Sequence, residues 1–195
     1  AVDDYLFCLE RVYPRASYVT VNISSPNTQG LRDLQNEETL RRFVGTLRDA
    51  QEKLGSKHGK RKPMLLKIAP DLSEHEMDAI AMVLLDGSVD GLICTNTTID
   101  RSVISGHKHA HEAGGLSGRP LFALSTAVLR GMAQRLGGRV PLIGVGGITD
   151  GMGAAEKIAA GASLVQFYTG MVYRGPTLIG ECVEAIRPAR DQTSA

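Results

Sequence analysis

The sequence has 195 residues, of which 43% are hydrophobic and 22% charged, proportions that suit a globular chain with a sizeable core. A formal net charge of +1, with no basic stripe interleaved with aromatics, leaves no footprint for nucleic-acid binding. The longest apolar stretch, Ala79 to Leu85, is far too short to span a bilayer, and three cysteines without metal-type spacing (Cys8, Cys94, Cys182) suit free thiols in a reducing compartment.

Residues 3–12 place Tyr5, Leu6, Leu9 and Val12 at helical spacing, and Pro14 marks the stop. Tyr18 to Ile23 is rich in β-branched residues and reads as a strand. It runs into Asn22-Ile23-Ser24-Ser25-Pro26-Asn27-Thr28, where Pro26 removes a donor and biases Ser25 towards an extended backbone. Leu40, Phe43, Val44, Leu47 and Leu54 form one face of a long helix, with Asn36 as N-cap and Gly55 at its end. Lys57 to Lys62 is a basic, solvated connection. Pro63 to Ala69 is a strand, apolar except for Lys67. Ser73 and Glu76 form a capping box for a helix with Met77, Ile80, Ala81 and Leu84 inward. Asp90 to Cys94 is a buried strand ending in Thr95-Asn96-Thr97-Thr98, and a long glycine-containing loop covers Ile99 to Pro120. A helix from Leu121 to Leu136 closes at Gly137-Gly138. The strand Pro141 to Val145 runs into Gly146-Gly147, and a short helix, Ala154 to Ala160, stops at Gly161. Ser163 to Phe167 is the last strand, leading to Tyr168-Thr169-Gly170, and a final helix covers Thr177 to Ile186.

The pattern is five strands, each followed by a helix, within one domain over residues 1–195. The strands are nearly continuous apolar runs, as in a parallel sheet covered on both faces. Polar and glycine-rich residues cluster after each strand, the end at which (β/α)₈ barrels build their sites. A doubly wound sheet could use the same units, but no Gly-x-Gly-x-x-Gly follows an early strand. A complete barrel takes about 250 residues, so the chain reads as the last five units of a TIM barrel, with the first three outside this sequence.

The turn from Asn22 to Thr28 presents hydroxyls and amides that could hold a planar polar ligand by its edges and set a hydroxyl against one carbon. The alternative is an ordinary polar loop. Lys67, in an apolar strand, either reaches solvent or faces an anionic ligand. Gly146-Gly147 and Gly161 allow close backbone approach and suit a phosphate site. His107, His109 and His111 alternate beside Glu112, and surface histidines are the better reading than a metal site. Cys94 reads as a small core residue. No histidine accompanies a strand-end serine, so no Ser-His-Asp set can be assigned.

Six motifs in register resemble the dihydroorotate dehydrogenases: Asn22 to Thr28, Lys67-Ile-Ala-Pro-Asp71, Thr95-Asn-Thr-Thr98, Gly114-Gly-Leu-Ser-Gly118, Gly144-Val-Gly-Gly147, and Gly161 through Tyr168-Thr169. Ser25 resembles class 2, the quinone-reducing, membrane-associated enzymes, where the soluble class 1 turn carries a cysteine base. The resemblance implies an FMN-binding barrel that oxidises dihydroorotate to orotate in pyrimidine biosynthesis. Asn22, Asn27, Asn96 and Thr97 would bind the substrate, and Ser25, with Thr28 as a proton relay, would remove the C5 proton. Asn22, Lys67, Thr95, Ser117, Gly118, Gly146 and Gly147 would contact the flavin, while Tyr168 and Thr169 would join the phosphate site through backbone amides. No metal is implied. Family members carry upstream strands with further flavin and substrate contacts, and class 2 members carry an N-terminal segment for quinone and for peripheral docking at the cytoplasmic face of the inner membrane. This sequence contains neither, so the fragment alone is expected to be soluble but inactive. Two other readings stay open: a related flavin barrel acting on another pyrimidine, and a non-catalytic FMN- or phosphate-binding partial barrel.

Overall fold

The computed structural model of the chain describes residues 2–24 and 37–191. Five strands alternate with helices: α1 (Val2–Val12), β1 (Val19–Asn22), α2 (Glu37–His58), β2 (Met64–Ile68), α3 (Glu74–Leu85), β3 (Gly91–Cys94), α4 (Phe122–Leu136), β4 (Leu142–Val145), α5 (Gly151–Ala159), β5 (Leu164–Gln166), α6 (Thr169–Arg174) and α7 (Thr177–Asp191). Neighbouring strands all pair in parallel, in the order β1-β2-β3-β4-β5. Parallel crossovers are right-handed, so a sequential strand order sends every intervening helix to one face. The helices accordingly touch in chain order, from α1 on α2 through to α4 on α5. A doubly wound sheet would reverse its order and cover both faces. This sheet is singly wound, as the wall of a (β/α)₈ barrel is.

Strand alternation sorts the side chains. Asn22, Lys67, Ile93, Ile143 and Leu164 lie in one row across the sheet and share its concave face. The next row, Ile68, Cys94, Gly144 and Val165, faces the helices. On that side Leu66, Ile68 and Leu92 meet Leu40, Ile80, Leu84 and Leu129 in the main core. The expected cover on both faces holds for β3 and fails for β5, where Leu164 is 52% exposed. The reason is that the helices stack on one face only, leaving the concave row of the outer strand bare.

Several boundaries differ from the sequence reading. Helix α2 continues through Gly55, where a Cβ would sit 3.3 Å from the buried Tyr13 hydroxyl, and the chain turns instead at Gly59, with φ +68°. The Asn36 cap lies outside the described residues. Helix α5 begins before Ala154, because Asp150 caps it by accepting from the Gly153 amide at 2.8 Å. The segment Thr169–Arg174 is a short helix rather than a simple turn, and α7 runs past Ile186 to Asp191. The capping box of α3 forms as expected, with Glu76 N–H donating to Ser73 Oγ at 3.3 Å and Ser73 N–H to Glu76 Oε2 at 2.8 Å. Cys8 is exposed, Cys94 and Cys182 are buried, and all three are free thiols.

At the N-terminal end of the sheet one carboxylate ties three segments together. Asp90 accepts from the Met64 amide at 2.8 Å and from Gln51 Nε2 at 3.1 Å, and pairs with Arg61 at 2.6 Å. Burial pushes the Asp90 carboxyl up, but these donors outweigh it and hold its pKa below the usual carboxylate value. A depressed folded value stabilises above the unfolded pKa of about 3.9, and that contribution is lost as pH falls through the folded value. Asp90→Asn in the complete protein should therefore cost about 1–3 kcal/mol at pH 7 and flatten the acid limb of stability against pH. Urea melts across pH check this, and an unchanged midpoint at pH 7 would remove Asp90 from the account of the fold.

Candidate active site

All five strands deliver their C-terminal ends to one side of the sheet, and a cavity of about 390 Å³ lies over the ends of β2 to β5. Lys67 enters it from β2, and Thr95, Asn96 and Thr97 from the turn after β3. Gly146 and Gly147 form its floor after β4, and Tyr168 and Thr169 close it after β5. Ser117 and Gly118 arrive from the long loop. That loop is pinned at its base by paired bonds between Thr98 and Leu116, at 3.1 and 2.7 Å, and by the Thr98 hydroxyl donating to Asp71. At its other end Ser117 Oγ meets Thr169 Oγ1 at 2.9 Å. Ten of the residues chosen from sequence thus share one enclosure. A larger cavity of about 660 Å³ outside the loop shares only Ser117, Gly118 and Thr169 with it.

Asn22 stands one hydrogen bond behind the wall. Asn96 Nδ2 donates to Asn22 Oδ1 and to Ser24 Oγ, both at 3.2 Å, while Asn96 Oδ1 accepts from the Thr97 amide at 2.9 Å. Ser24, fully buried, places its hydroxyl 3.0 Å from both Asn22 Oδ1 and the Lys67 carbonyl. These bonds orient the Asn96 amide before any ligand arrives. The sequence reading assigned Ser24 no role, although its place between Asn22 and Ser25 was a signal. It also passed over Gln166 and Phe167, which line the cavity. Ser25, Asn27 and Thr28 lie outside the described residues.

Lys67 is the only charged group among the described residues lining the cavity, and it forms no ion pair with any of them. Burial pulls its pKa below the ordinary lysine value. A half-buried cation in a wall of amides, hydroxyls and apolar groups is matched by an anionic ligand. The glycine floor is equally specific. At Gly147, with φ +77°, an added Cβ would lie 2.5 Å from Phe122, and at Gly146 2.7 Å from Ser125 Oγ. Gly161 does not belong to this floor. It precedes β5 at the opposite end of the sheet, where its missing Cβ makes room for Ala133 at 2.5 Å. The three histidines are exposed on the loop, with His109 Nδ1 2.5 Å from Glu112 Oε1.

The sequence profile described as dihydroorotate dehydrogenase matches residues 1–188. The chain belongs to the dihydroorotate dehydrogenase family. It is 60% identical over 194 residues to the dihydroorotate dehydrogenase (quinone) of Xanthomonas campestris pv. campestris (strain B100), covering all of this chain and 55% of that protein. Identity to the Stenotrophomonas maltophilia (strain K279a) protein of the same name is 59%, with the same coverage. Ligand-free dihydroorotate dehydrogenase from Eimeria tenella superposes with a TM-score of 0.90 at 41% identity, over 99% of this chain and 56% of that one. The same enzyme in complex with ferulenol gives a TM-score of 0.88 at 40% identity, over 97% of this chain and 55% of that one. The chain therefore spans about half the length of these relatives and corresponds to the C-terminal part of a dihydroorotate dehydrogenase barrel. Among the described residues no helix is long and apolar enough to cross a membrane.

The dihydroorotate dehydrogenases are flavin-dependent, and this cavity fits such a group: a cation without an ion-pair partner among the described residues, side-chain amides and a bare glycine floor suit a planar ring with an anionic tail. Ser24→Ala removes the hydroxyl that braces Asn96, Asn22 and the Lys67 carbonyl. It should cost about 1–3 kcal/mol, as for other buried partners left unpaired, and speed hydrogen exchange of the Asn96 side-chain amide. NMR exchange rates test this, and an unaltered Asn96 signal would show that Ser24 does not hold it.

Proposed function

We propose that the complete protein is a quinone-linked dihydroorotate dehydrogenase, with residues 1–195 forming the C-terminal portion of a single FMN-binding barrel domain. The observation that carries this is the gathering of Lys67, the Asn96 turn and the glycine floor in one cavity with no carboxylate among its described lining residues. The names of the relatives and the serine at position 25 support the quinone-linked class. Bound in the cavity, FMN supplies a two-electron acceptor for the hydride leaving C6 of dihydroorotate. The residues of the chain do the rest. Asn22, Asn27, Asn96 and Thr97 hold the pyrimidine ring and its carboxylate, using amides that donate and accept. Ser25 removes the C5 proton, so that the C5–C6 double bond of orotate forms as proton and hydride depart. Thr28 relays that proton towards water. Lys67 adds positive charge that favours an electron-rich flavin ring. Thr95, Ser117, Gly118, Gly146 and Gly147 line the flavin, and the amides of Tyr168 and Thr169 join those holding its phosphate. The quinone acceptor and a peripheral contact with the cytoplasmic face of the inner membrane belong to the upstream part of the complete protein.

Ser25→Ala in the complete protein should leave flavin bound and slow its reduction by dihydroorotate about 10²–10⁴-fold, the usual share of a general base. Stopped-flow bleaching of the flavin measures this, and reduction at the wild-type rate removes Ser25 from the mechanism. Lys67→Met should lower the flavin reduction potential and weaken FMN binding, because a positive charge is lost beside the electron-accepting group. Potentiometric titration and FMN titration of apoprotein check it, and no change in either would make Lys67 a lysine that merely reaches solvent. Residues 1–195 expressed alone, with FMN and quinone added, are expected not to oxidise dihydroorotate. An active, yellow, monodisperse preparation would show that five βα units suffice.

A further inference from the structure

Lys157 is the least expected residue in the structure. It lies on α5 with no exposed surface at all, on the helix-facing side of the sheet, behind the cavity rather than inside it. It forms no salt bridge with the described residues. Its ammonium donates to Ser125 Oγ at 2.6 Å and stands 4.9 Å from the centre of the Phe122 ring. Room for it comes from Gly144, where an added Cβ would lie 2.9 Å from Lys157 Cβ. A buried cation held by one hydroxyl and one ring face carries a large desolvation cost, and an apolar side chain would fill the site without it.

The next link is Ser125. Its hydroxyl accepts from Lys157 and lies 3.1 Å from two carbonyl oxygens, those of Gly146 and Phe122, to either of which it can donate. The carbonyl of Gly146 therefore faces the helix side. In a trans peptide the N–H points opposite to the C=O, so the Gly147 N–H is turned the other way, towards the cavity that Gly147 lines. That N–H has no partner among the described residues. Gly146 and Gly147 are pressed onto Ser125 and Phe122, the same two residues that hold the ammonium.

We propose that Lys157 is a positioning residue for the flavin phosphate: an interior cation that acts through Ser125 to aim the Gly147 amide and to lend the glycine floor positive potential. This rests on the flavin reading above and deepens it. The charge is conditional. Burial pulls the Lys157 pKa down to about 8, with the negative charge of the exposed Glu156 acting the other way. Two titratable groups face it: Cys94 comes from β3, its own pKa pushed far up by burial so that it stays neutral, and Glu156 is its neighbour on α5. Helix α4 offers it Ser125 and Phe122, β4 the bare Gly144, and among the described residues no charged group of α7 or β5, which also pack on α5, acts on it.

The test uses apoprotein of the complete enzyme, titrated with FMN and, separately, with riboflavin, which has the same ring and no phosphate. Lys157→Met should weaken FMN binding roughly 10- to 100-fold, the range for hydrogen bonding to a charged group, and leave riboflavin binding unchanged. The melting temperature of the apoprotein should hold or rise, because an uncompensated interior charge has been removed. Equal loss for both flavins, or loss for neither, overturns the proposal. If the variant does not fold, two further measurements decide. Ser125→Ala should lose FMN selectively in the same way. In the wild type the preference for FMN over riboflavin should fall as pH rises above about 8, when Lys157 loses its proton, and a flat preference from pH 7 to 9.5 also overturns the proposal. Wild-type apoprotein that binds neither flavin would instead sink the flavin reading itself.

Discussion

Everything at the site depends on the register of a parallel sheet in which side chains alternate between two faces. The pairing Asn22–Lys67–Ile93–Ile143–Leu164 sends an amide and an ammonium to the concave side. One residue along, Cys94 and Gly144 face the helices. A slip of a single residue in β2 would carry Lys67 into the leucine core and Leu66 into the cavity, so the core leucines hold the chemistry in place as surely as any hydrogen bond. The constraint is mutual. Helices stack on one face only, the concave face is left for ligand and solvent, and the outer strand consequently carries an exposed leucine at 164.

How far the sequence could be read follows from the distance over which each feature is encoded. The capping box of Ser73 and Glu76 is a local code, complete within one turn, and it forms as written. The five strands were legible because β-branched and apolar runs carry their own period. Lys67 stood out because a charge in such a run is conspicuous against its neighbours. The misreadings share one cause. Gly55 looks like a helix end until Tyr13, from the turn that ends α1, is seen to pass across it. Gly161 looks like a phosphate-site glycine until Ala133 is found against it. Lys157 drew no reading from the sequence at all, and only a missing side chain on β4 reveals where it goes. Ser24 was hidden by more eloquent neighbours, since a buried hydroxyl is no different on paper from an exposed one.

The two lysines at this end of the sheet occupy opposite faces of it, and neither forms a salt bridge with a carboxylate among the described residues. Such groups do not help a chain fold. They sit where neighbouring apolar and glycine residues over-determine the backbone, so that the cost is carried by the leucine core rather than by the site. Ser24 and Ser125 perform matching tasks on the two sides. Each is fully buried, and each connects a side chain to a main-chain carbonyl of a strand or of the turn that follows it. The polar network is therefore continuous with the β-ladder and not an addition to it.

The stretch from Gly144 to Gly147 has a consequence for how such a chain can vary over generations. Every missense change in a glycine codon adds at least a Cβ, and at positions 144, 146 and 147 that atom would fall 2.9, 2.7 and 2.5 Å from existing atoms. No replacement is mild there, because the objection is to the first carbon and not to the character of the side chain. Two of the three collisions are with the first turn of α4, so drift in this tetrapeptide would require that helix to retreat from the sheet. Residues on the exposed outer side of α7, such as Val183 and Glu184, meet no such limit. The segment that floors the cavity is in this sense the one with the fewest spellings.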